Sequence, residues 1–287
     1  MSHAQKLRAL LERRTITVIP SAADALSARL IAAAGFEALF MSGFAVSAAR
    51  LARPDTGLIS LAEMVDTLRN VCAAAPAIPV VGDGDTGFGN AINVQRTVYE
   101  YARAGAACVM IEDQVSPKKC GHTQAKQVIG HEEARMKLRA AVEAARANDV
   151  LVLARTDARA VAGFDEALSR CAMFVEEGAD IIFLEAPESV DEMRAFCAAI
   201  PKPCLANMVY EGKTPVLSAR ELEAIGYKIA LYPLVLLAAA IKAMEQALVA
   251  LKPSAPGAMP PTASFDEIQT VVGFPDYWAA ERRFAAE

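Results

Sequence analysis

The chain lacks what would place it with nucleic-acid-binding, disordered or membrane-spanning proteins. Its 29 Lys and Arg are outnumbered by 34 Asp and Glu, and the formal net charge is −5. No basic excess is available to neutralise phosphates, which argues against nucleic-acid partners. Charged residues make up only 22% and hydrophobic residues 54% of the 287, a balance opposite to that of a disordered chain. None of the six cysteines forms a C-x-x-C pair, so no zinc knuckle or redox motif is present. Cys72, Cys108, Cys171, Cys197 and Cys204 stand among Ala, Val and Phe and are expected to be small buried hydrophobes. The most apolar stretch, Ile229–Ile241, is 13 residues long and contains Pro233, too short to span a bilayer. Met1–Arg14 is charged and polar, unlike a secretory leader. These absences predict a soluble, cytoplasmic protein with reduced thiols and no membrane contact.

What is present is an alternation. Short β-rich runs occupy Ile16–Pro20, Ala38–Met41, Val80–Asp83, Cys108–Glu112, Leu151–Arg155, Ile181–Glu185, Cys204–Asn207 and Ile229–Tyr232. Helical periodicity follows most of them, at Asp24–Ala34, Val94–Ala104, Glu132–Ala147, Phe164–Glu177 and Glu188–Ala199. Gly35, Gly105 and Gly178 stand shortly before the next strand, where glycine supplies the left-handed residue that stops a helix. Eight strands with helical crossovers predict an α/β fold, a (β/α)8 barrel over residues 1–252, with an open doubly wound sheet as the alternative. Pro253–Pro261, rich in Pro, Ala and Ser, reads as a linker. Beyond it, Asp266–Val272 and Tyr277–Ala286 read as short amphipathic helices, so residues 253–287 are expected to dock on a partner subunit.

Polar residues collect at the C-terminal ends of the strands, the face on which barrel enzymes keep their sites. Ser42-Gly43 and then Asp55 follow the second strand, and Asp83 to Asn90 follow the third. Glu112-Asp113, Arg155-Thr156-Asp157, Glu185 and Asn207 end the fourth to seventh. Gly82-Asp83-Gly84-Asp85-Thr86-Gly87 formally matches a dinucleotide fingerprint, but two carboxylates inside the turn would repel a pyrophosphate. The same acids suit a hard divalent cation such as Mg2+, a reading that stands ahead of a tight turn with surface acids. Gly212-Lys213-Thr214 resembles the end of a phosphate-binding loop, but Asn207 stands where that motif needs glycine. Lys118-Lys119-Cys120-Gly121-His122 begins a long loop after the fourth strand. Nearby cations favour a thiolate and His122 could transfer protons near neutrality. The composition alone leaves open whether this is a functional lid or an exposed basic loop. His3 and His131 read as surface or capping residues.

The phrases MSGFAVSAA, PDTG, GDGDTGFGN, IEDQ, PKKCGH, ARTDA, LEAP, NMVYEGKTP and LYP occur in this order, and over nearly its whole length the chain resembles the isocitrate lyase / phosphoenolpyruvate mutase superfamily. Lys118 to His122 looks like the signature of the lyase branch, and KQVI at Lys126–Ile129 with Phe44 after Ser42-Gly43 resembles its 2,3-dimethylmalate lyase and petal-death members. The resemblance implies a Mg2+ site (Mn2+ as a substitute) served by Asp83, Asp85, Glu112 and Asp55. It implies that Ser42, Gly43 and Arg155 hold an α-keto or α-hydroxy carboxylate, and that Cys120 is the general acid. Glu185 and His122 would be acid–base or supporting groups. Phe44, Gly121, Asn207, Thr214 and Lys118 would contact the second product. The implied activity is cleavage of a 2-hydroxydicarboxylate, with oxaloacetate hydrolysis or phosphoenolpyruvate/phosphonopyruvate interconversion as alternatives, in a homotetramer that swaps C-terminal helices. Two departures are Glu211-Gly212 where Gly-Gly is expected, and Gly82 and Gly84 where alanines are usual.

Overall fold

The structure, a computed structural model, describes residues 1–119, 126–252 and 259–285. In chain order the elements are α1 (His3–Glu12), β1 (Thr17–Ala22), α2 (Ala25–Ala33), β2 (Leu39–Met41), α3 (Gly43–Leu51), α4 (Leu61–Ala74), β3 (Val80–Asp83), α5 (Ala91–Ala104), β4 (Cys108–Glu112) and α6 (His131–Ala147). Then come β5 (Leu151–Thr156), α7 (Arg159–Ala162), α8 (Phe164–Glu177), β6 (Ile181–Leu184), α9 (Val190–Ala199), β7 (Leu205–Asn207), α10 (Ala219–Ile225), β8 (Ile229–Tyr232), α11 (Val235–Ala250), α12 (Phe265–Val272) and α13 (Phe274–Phe284). Each expected strand lies within two residues of its predicted bounds.

Among the described residues the eight strands pair in parallel in the order β6-β5-β4-β3-β2-β1-β8-β7. A parallel bridge between Ile182 and Cys204 joins the two ends, and the Ile182 N–H donates to the Pro203 carbonyl at 2.9 Å. The sheet thus closes as a (β/α)8 barrel, and the open-sheet alternative falls. Side chains alternate along each strand. Ile19, Phe40, Val81, Cys108, Met110, Leu151, Leu153, Ile181, Phe183, Leu205, Ile229 and Leu231 form one buried cluster inside the barrel. Their neighbours Val80, Val109, Ile111, Val152, Ile182, Leu184 and Ala230 belong to a second cluster with the helices.

The polar-looking N-terminus proves to be a helix. Ser2 caps α1, accepting from the Gln5 N–H, and Ala4, Leu7, Leu10 and Leu11 are buried. These four join the interior cluster, so α1 stops the barrel at the end opposite the strand C-termini. Its helical spacing was legible, but the surrounding Lys and Arg obscured it. The helix-stopping glycines behave as expected, with φ of +83° at Gly35, +103° at Gly105 and +96° at Gly178. Cys72, Cys108, Cys171 and Cys204 are buried and Cys197 is half-buried.

The chain divides into two compact units, Met1–Val235 and Leu236–Glu287. The division falls at the start of α11, a helix with no buried residue. The apolar run Ile229–Ile241 is two elements, β8 and the start of α11, separated at Pro233. No helix among the described residues is long and apolar enough to cross a membrane.

Candidate active site

The site is the top layer of the barrel interior. The inward parity that runs Phe40, Val81, Met110, Leu153, Phe183 and Leu205 continues at the next inward position as Ser42, Asp83, Glu112, Arg155, Glu185 and Asn207. Apolar residues fill the lower layers, and polar ones replace them where the strands end. A cavity of about 60 Å³ there is lined by Ser42, Phe44, Asp55, Asp83, Lys118, Arg155, Glu185 and Asn207, among others.

Ser42 caps α3, its Oγ accepting from the Ala45 N–H at 3.3 Å. The next N–H, of Gly43, donates to Asp83 Oδ2 at 2.9 Å. A Cβ at Gly43 would lie 2.8 Å from that oxygen, so a larger residue would have to push the Asp83 carboxylate aside. At Gly84 a Cβ would meet the Met110 carbonyl oxygen at 2.5 Å, so the backbone here approaches β4 more closely than an alanine would let it. Asp85 follows with φ +47°, an uncommon conformation for a non-glycine residue. It is held by the Glu112 N–H donating to its carbonyl at 2.9 Å. Tyr101 donates its hydroxyl to the Asp83 carbonyl at 2.6 Å.

Asp55, Asp83, Asp85 and Glu112 are all buried. Lys118, from the loop after β4, sends its ammonium among them, 2.7 Å from Asp55 and 2.8 Å from Asp85. Burial, helped by the charges of Asp83 and Asp55, pushes the Asp85 carboxyl up to about 7 in spite of Lys118. Burial also raises Glu112 well above the ordinary carboxylate range, against the pull of Arg155. Burial opposes the charge on Lys118, but Asp85, Glu112, Asp83 and Asp55 outweigh it and keep the group an ammonium. Oε1 of Glu112 is buried without a hydrogen-bond donor, and Oδ1 of Asp55 and Oδ1 of Asp85 face the Lys118 ammonium. Hard carboxylate oxygens gathered around a single cation fit a divalent ion as well, which takes one or two carboxylates directly and retains waters. Among the described residues no three His, Cys, Asp or Glu side chains converge as a direct metal cage, so the arrangement suits a largely hydrated ion.

On the other side, Arg155 donates from Nε to Asp157 Oδ2 at 2.8 Å and from Nη2 to Asp157 Oδ1 at 3.1 Å. It lies 3.3 Å from Glu112 and 3.9 Å from Glu185, and its guanidinium stacks 5.1 Å from the Phe183 ring centroid. Asn207 Nδ2 donates to Glu185 at 3.3 and 3.4 Å. Thr214 is buried but does not line the cavity. Cys120, Gly121 and His122 lie outside the described residues. Lys118, expected against a product carboxylate, is occupied by Asp55 and Asp85 in this structure. Lys126, noted in the sequence only as the first residue of KQVI, is buried with its ammonium 2.8 Å from Asp157. Asp113 is also structural: it accepts from Thr156 Oγ1 at 2.7 Å and from Arg170 at 3.0 Å.

A family model described as phosphoenolpyruvate phosphomutase matches residues 7–252. The chain belongs to this family. It is 44% identical over 287 residues to a 2,3-dimethylmalate lyase of Eubacterium barkeri, with 99% of each chain covered. It is 48% identical over 242 residues to a 2-methylisocitrate lyase of Aeropyrum pernix, covering 84% of this chain and 77% of that one. Two solved structures share the fold. An oxaloacetate acetylhydrolase bound to 3,3-difluorooxalacetate superposes with a TM-score of 0.95 at 34% identity, over 100% of this chain and 98% of that one. A phosphonopyruvate hydrolase holding oxalate and Mg2+ superposes with a TM-score of 0.85 at 29% identity, over 99% of each. The phosphoenolpyruvate mutase family, within the wider isocitrate lyase superfamily, is therefore where the barrel-top carboxylates and Arg155 of this chain are to be placed.

Proposed function

We propose that this protein is a divalent-cation-dependent carbon–carbon lyase that cleaves a 2-hydroxydicarboxylate of the 2-alkylmalate or 2-methylisocitrate type to an α-keto acid and a carboxylic acid. The observation that carries this reading is the convergence of the Asp55, Asp83 and Glu185 carboxyls, the Arg155 guanidinium and Ser42 on one small cavity at the barrel top. Lyases of the same family at 44% and 48% identity support it.

Asp85 would hold the cation most directly, with Asp83, Glu112 and Asp55 acting through water, and Mg2+ or Mn2+ suits such oxygen donors. When bound, the ion supplies charge stabilisation that lowers the pKa of the substrate hydroxyl. Arg155, with Ser42 and Gly43, holds the carboxylate beside that hydroxyl. Glu185, kept in place by Asn207 and Arg155, takes the hydroxyl proton. The C2–C3 bond then breaks, the hydroxyl oxygen becomes the keto oxygen, and the bonding pair remains on the carbon beside the second carboxylate. The Cys120 thiol delivers the proton that this carbon needs. For 2,3-dimethylmalate the balance gives pyruvate and propionate. Phe44, Asn207 and the loop residues Lys118, Gly121 and His122 would hold the departing acid.

Products from 2,3-dimethylmalate, methylisocitrate, isocitrate, citramalate and oxaloacetate, identified by NMR, test this. Keto-acid release from one of the hydroxydicarboxylates is expected. Turnover of oxaloacetate alone, to oxalate and acetate, would favour the hydrolase reading, to which the neighbour of TM-score 0.95 lends support. Conversion of phosphonopyruvate, followed by phosphorus NMR, would favour the mutase reading. Full turnover by Cys120→Ser would remove the thiol as the acid. We further infer a homotetramer with exchanged C-terminal helices, because α11, α12 and α13 bury none of their residues. Light scattering giving a monomer would contradict it.

A further inference from the structure

We propose that Lys126 and Asp157 are a positioning pair that sets the orientation of the Arg155 guanidinium and the net charge around it, so that Lys126 governs how tightly a substrate carboxylate is held. This rests on reading Arg155 as the carboxylate-binding cation.

A guanidinium on a long flexible stem serves as a fork only when its plane is fixed. Asp157 fixes it by gripping the Nε and Nη2 edge at 2.8 and 3.1 Å, while the ring of Phe183 covers one face. Asp157 is held in its turn. Its N–H donates to Asp113 Oδ1 at 2.9 Å, and its Oδ1 accepts from Lys126 Nζ at 2.8 Å. Oδ1 of Asp157 is therefore shared between the lysine and the arginine.

Charge gives the lysine a second role. Glu112, Asp157 and Glu185 face Arg155 within 3.9 Å. Acidic groups crowded around one guanidinium weaken its pull on an incoming dicarboxylate. Lys126 offsets Asp157 from the side away from the cavity and preserves the attraction of Arg155 for an anion. The lysine is not a passing surface group. Its side chain is 2% exposed, and the strand-like foot on which it stands is tied down. The Val115 N–H donates to the Gln127 carbonyl, the Ile129 N–H donates to the Asp113 carbonyl, and Gln114 bridges Val128. Lys118, at the other foot of the same loop, enters the acid cluster. The described residues on either side of positions 120–125 thus each send a buried lysine into the site.

The test is oxalate binding by calorimetry on the full-length protein with Mg2+, together with steady-state kinetics and the Arg155 Nε–H resonance. Lys126→Met is expected to weaken oxalate binding and raise KM at least tenfold with a smaller change in kcat. It should also broaden the Arg155 Nε–H signal, and Lys126→Arg should restore most of each. Asp157→Asn keeps the shape of the site and should reproduce the broadened signal if Lys126→Met does not fold. Wild-type oxalate affinity and an unchanged Nε–H signal in a folded Lys126→Met overturn the proposal. So does equal impairment of Lys126→Arg and Lys126→Met. Failure of the wild-type protein to bind oxalate or any hydroxydicarboxylate would instead overturn the reading of Arg155 on which the pair depends.

Discussion

The two compact units of this chain treat apolar side chains in opposite ways. In Met1–Val235 every strand sends alternate residues to an interior cluster and to the helices, and both clusters are closed to water. In Leu236–Glu287 three helices form without one buried residue, and Phe265, Tyr277 and Phe284 are 72%, 61% and 76% exposed. Local signals are complete in the second unit: Ser264 and Glu267 make a capping box on α12, and Gly273 closes it at φ +92°. Caps fix where a helix begins and ends, but burial supplies most of its stability. The first unit therefore stands as a barrel with its own core, whereas the second presents an apolar surface that the helix exchange proposed above would bury.

The sharpest contrast is between two phenylalanines. Phe196→Ala, in a fully buried position, should cost ~3–5 kcal/mol in denaturant unfolding, while Phe265→Ala should change the barrel's own unfolding by less than about 0.5 kcal/mol. A joint change of Phe265 and Phe284 to Glu should instead lower the molar mass in light scattering and leave far-UV circular dichroism intact. An unaltered mass would break the comparison. Next in size, Asp85→Ala should reduce kcat/KM by roughly a hundredfold with little loss of fold, because Asp55 still pairs with the Lys118 ammonium at 2.7 Å.

A smaller effect is pH-dependent. Burial alone would raise Asp157, but Arg155 and Lys126 reverse this and hold its carboxyl well below the ordinary range. A depressed native carboxyl contributes stability that is fully present above the unfolded value of roughly 4 and is lost as pH falls below it. The acid limb of thermal unfolding below about pH 4 should accordingly be shallower in Asp157→Asn than in the wild type. The smallest effect belongs to the surface. Arg13 and Glu37 pair at 2.7 Å but are about half exposed, so Arg13→Ala should shift stability by no more than about 0.5 kcal/mol.

Much of the site was legible because strand parity carries it. Once Val81, Met110, Leu153 and Phe183 point inward, Asp83, Glu112, Arg155 and Glu185 must do so too. Lys126 was not legible in that way. Its place depends on the loop returning to pair Val128 with Gln114, a long-range contact without periodicity to announce it. Lys118 was marked from its neighbours in the loop, but its partners Asp55 and Asp85 come from other loops, and only the closed barrel brings them together. Helix α1 shows the opposite failure, since its apolar spacing was present while overall polarity dominated the reading.

The central claim is that the barrel-top carboxylates support cation-dependent carbon–carbon cleavage. Keto-acid release from 2,3-dimethylmalate, measured by coupled lactate dehydrogenase assay in Mg2+ and again in excess EDTA, tests it most directly. Pyruvate should appear in Mg2+, stop on chelation and return when Mg2+ is restored. Equal rates in Mg2+ and EDTA, or no keto acid from this or any other hydroxydicarboxylate, would contradict the account.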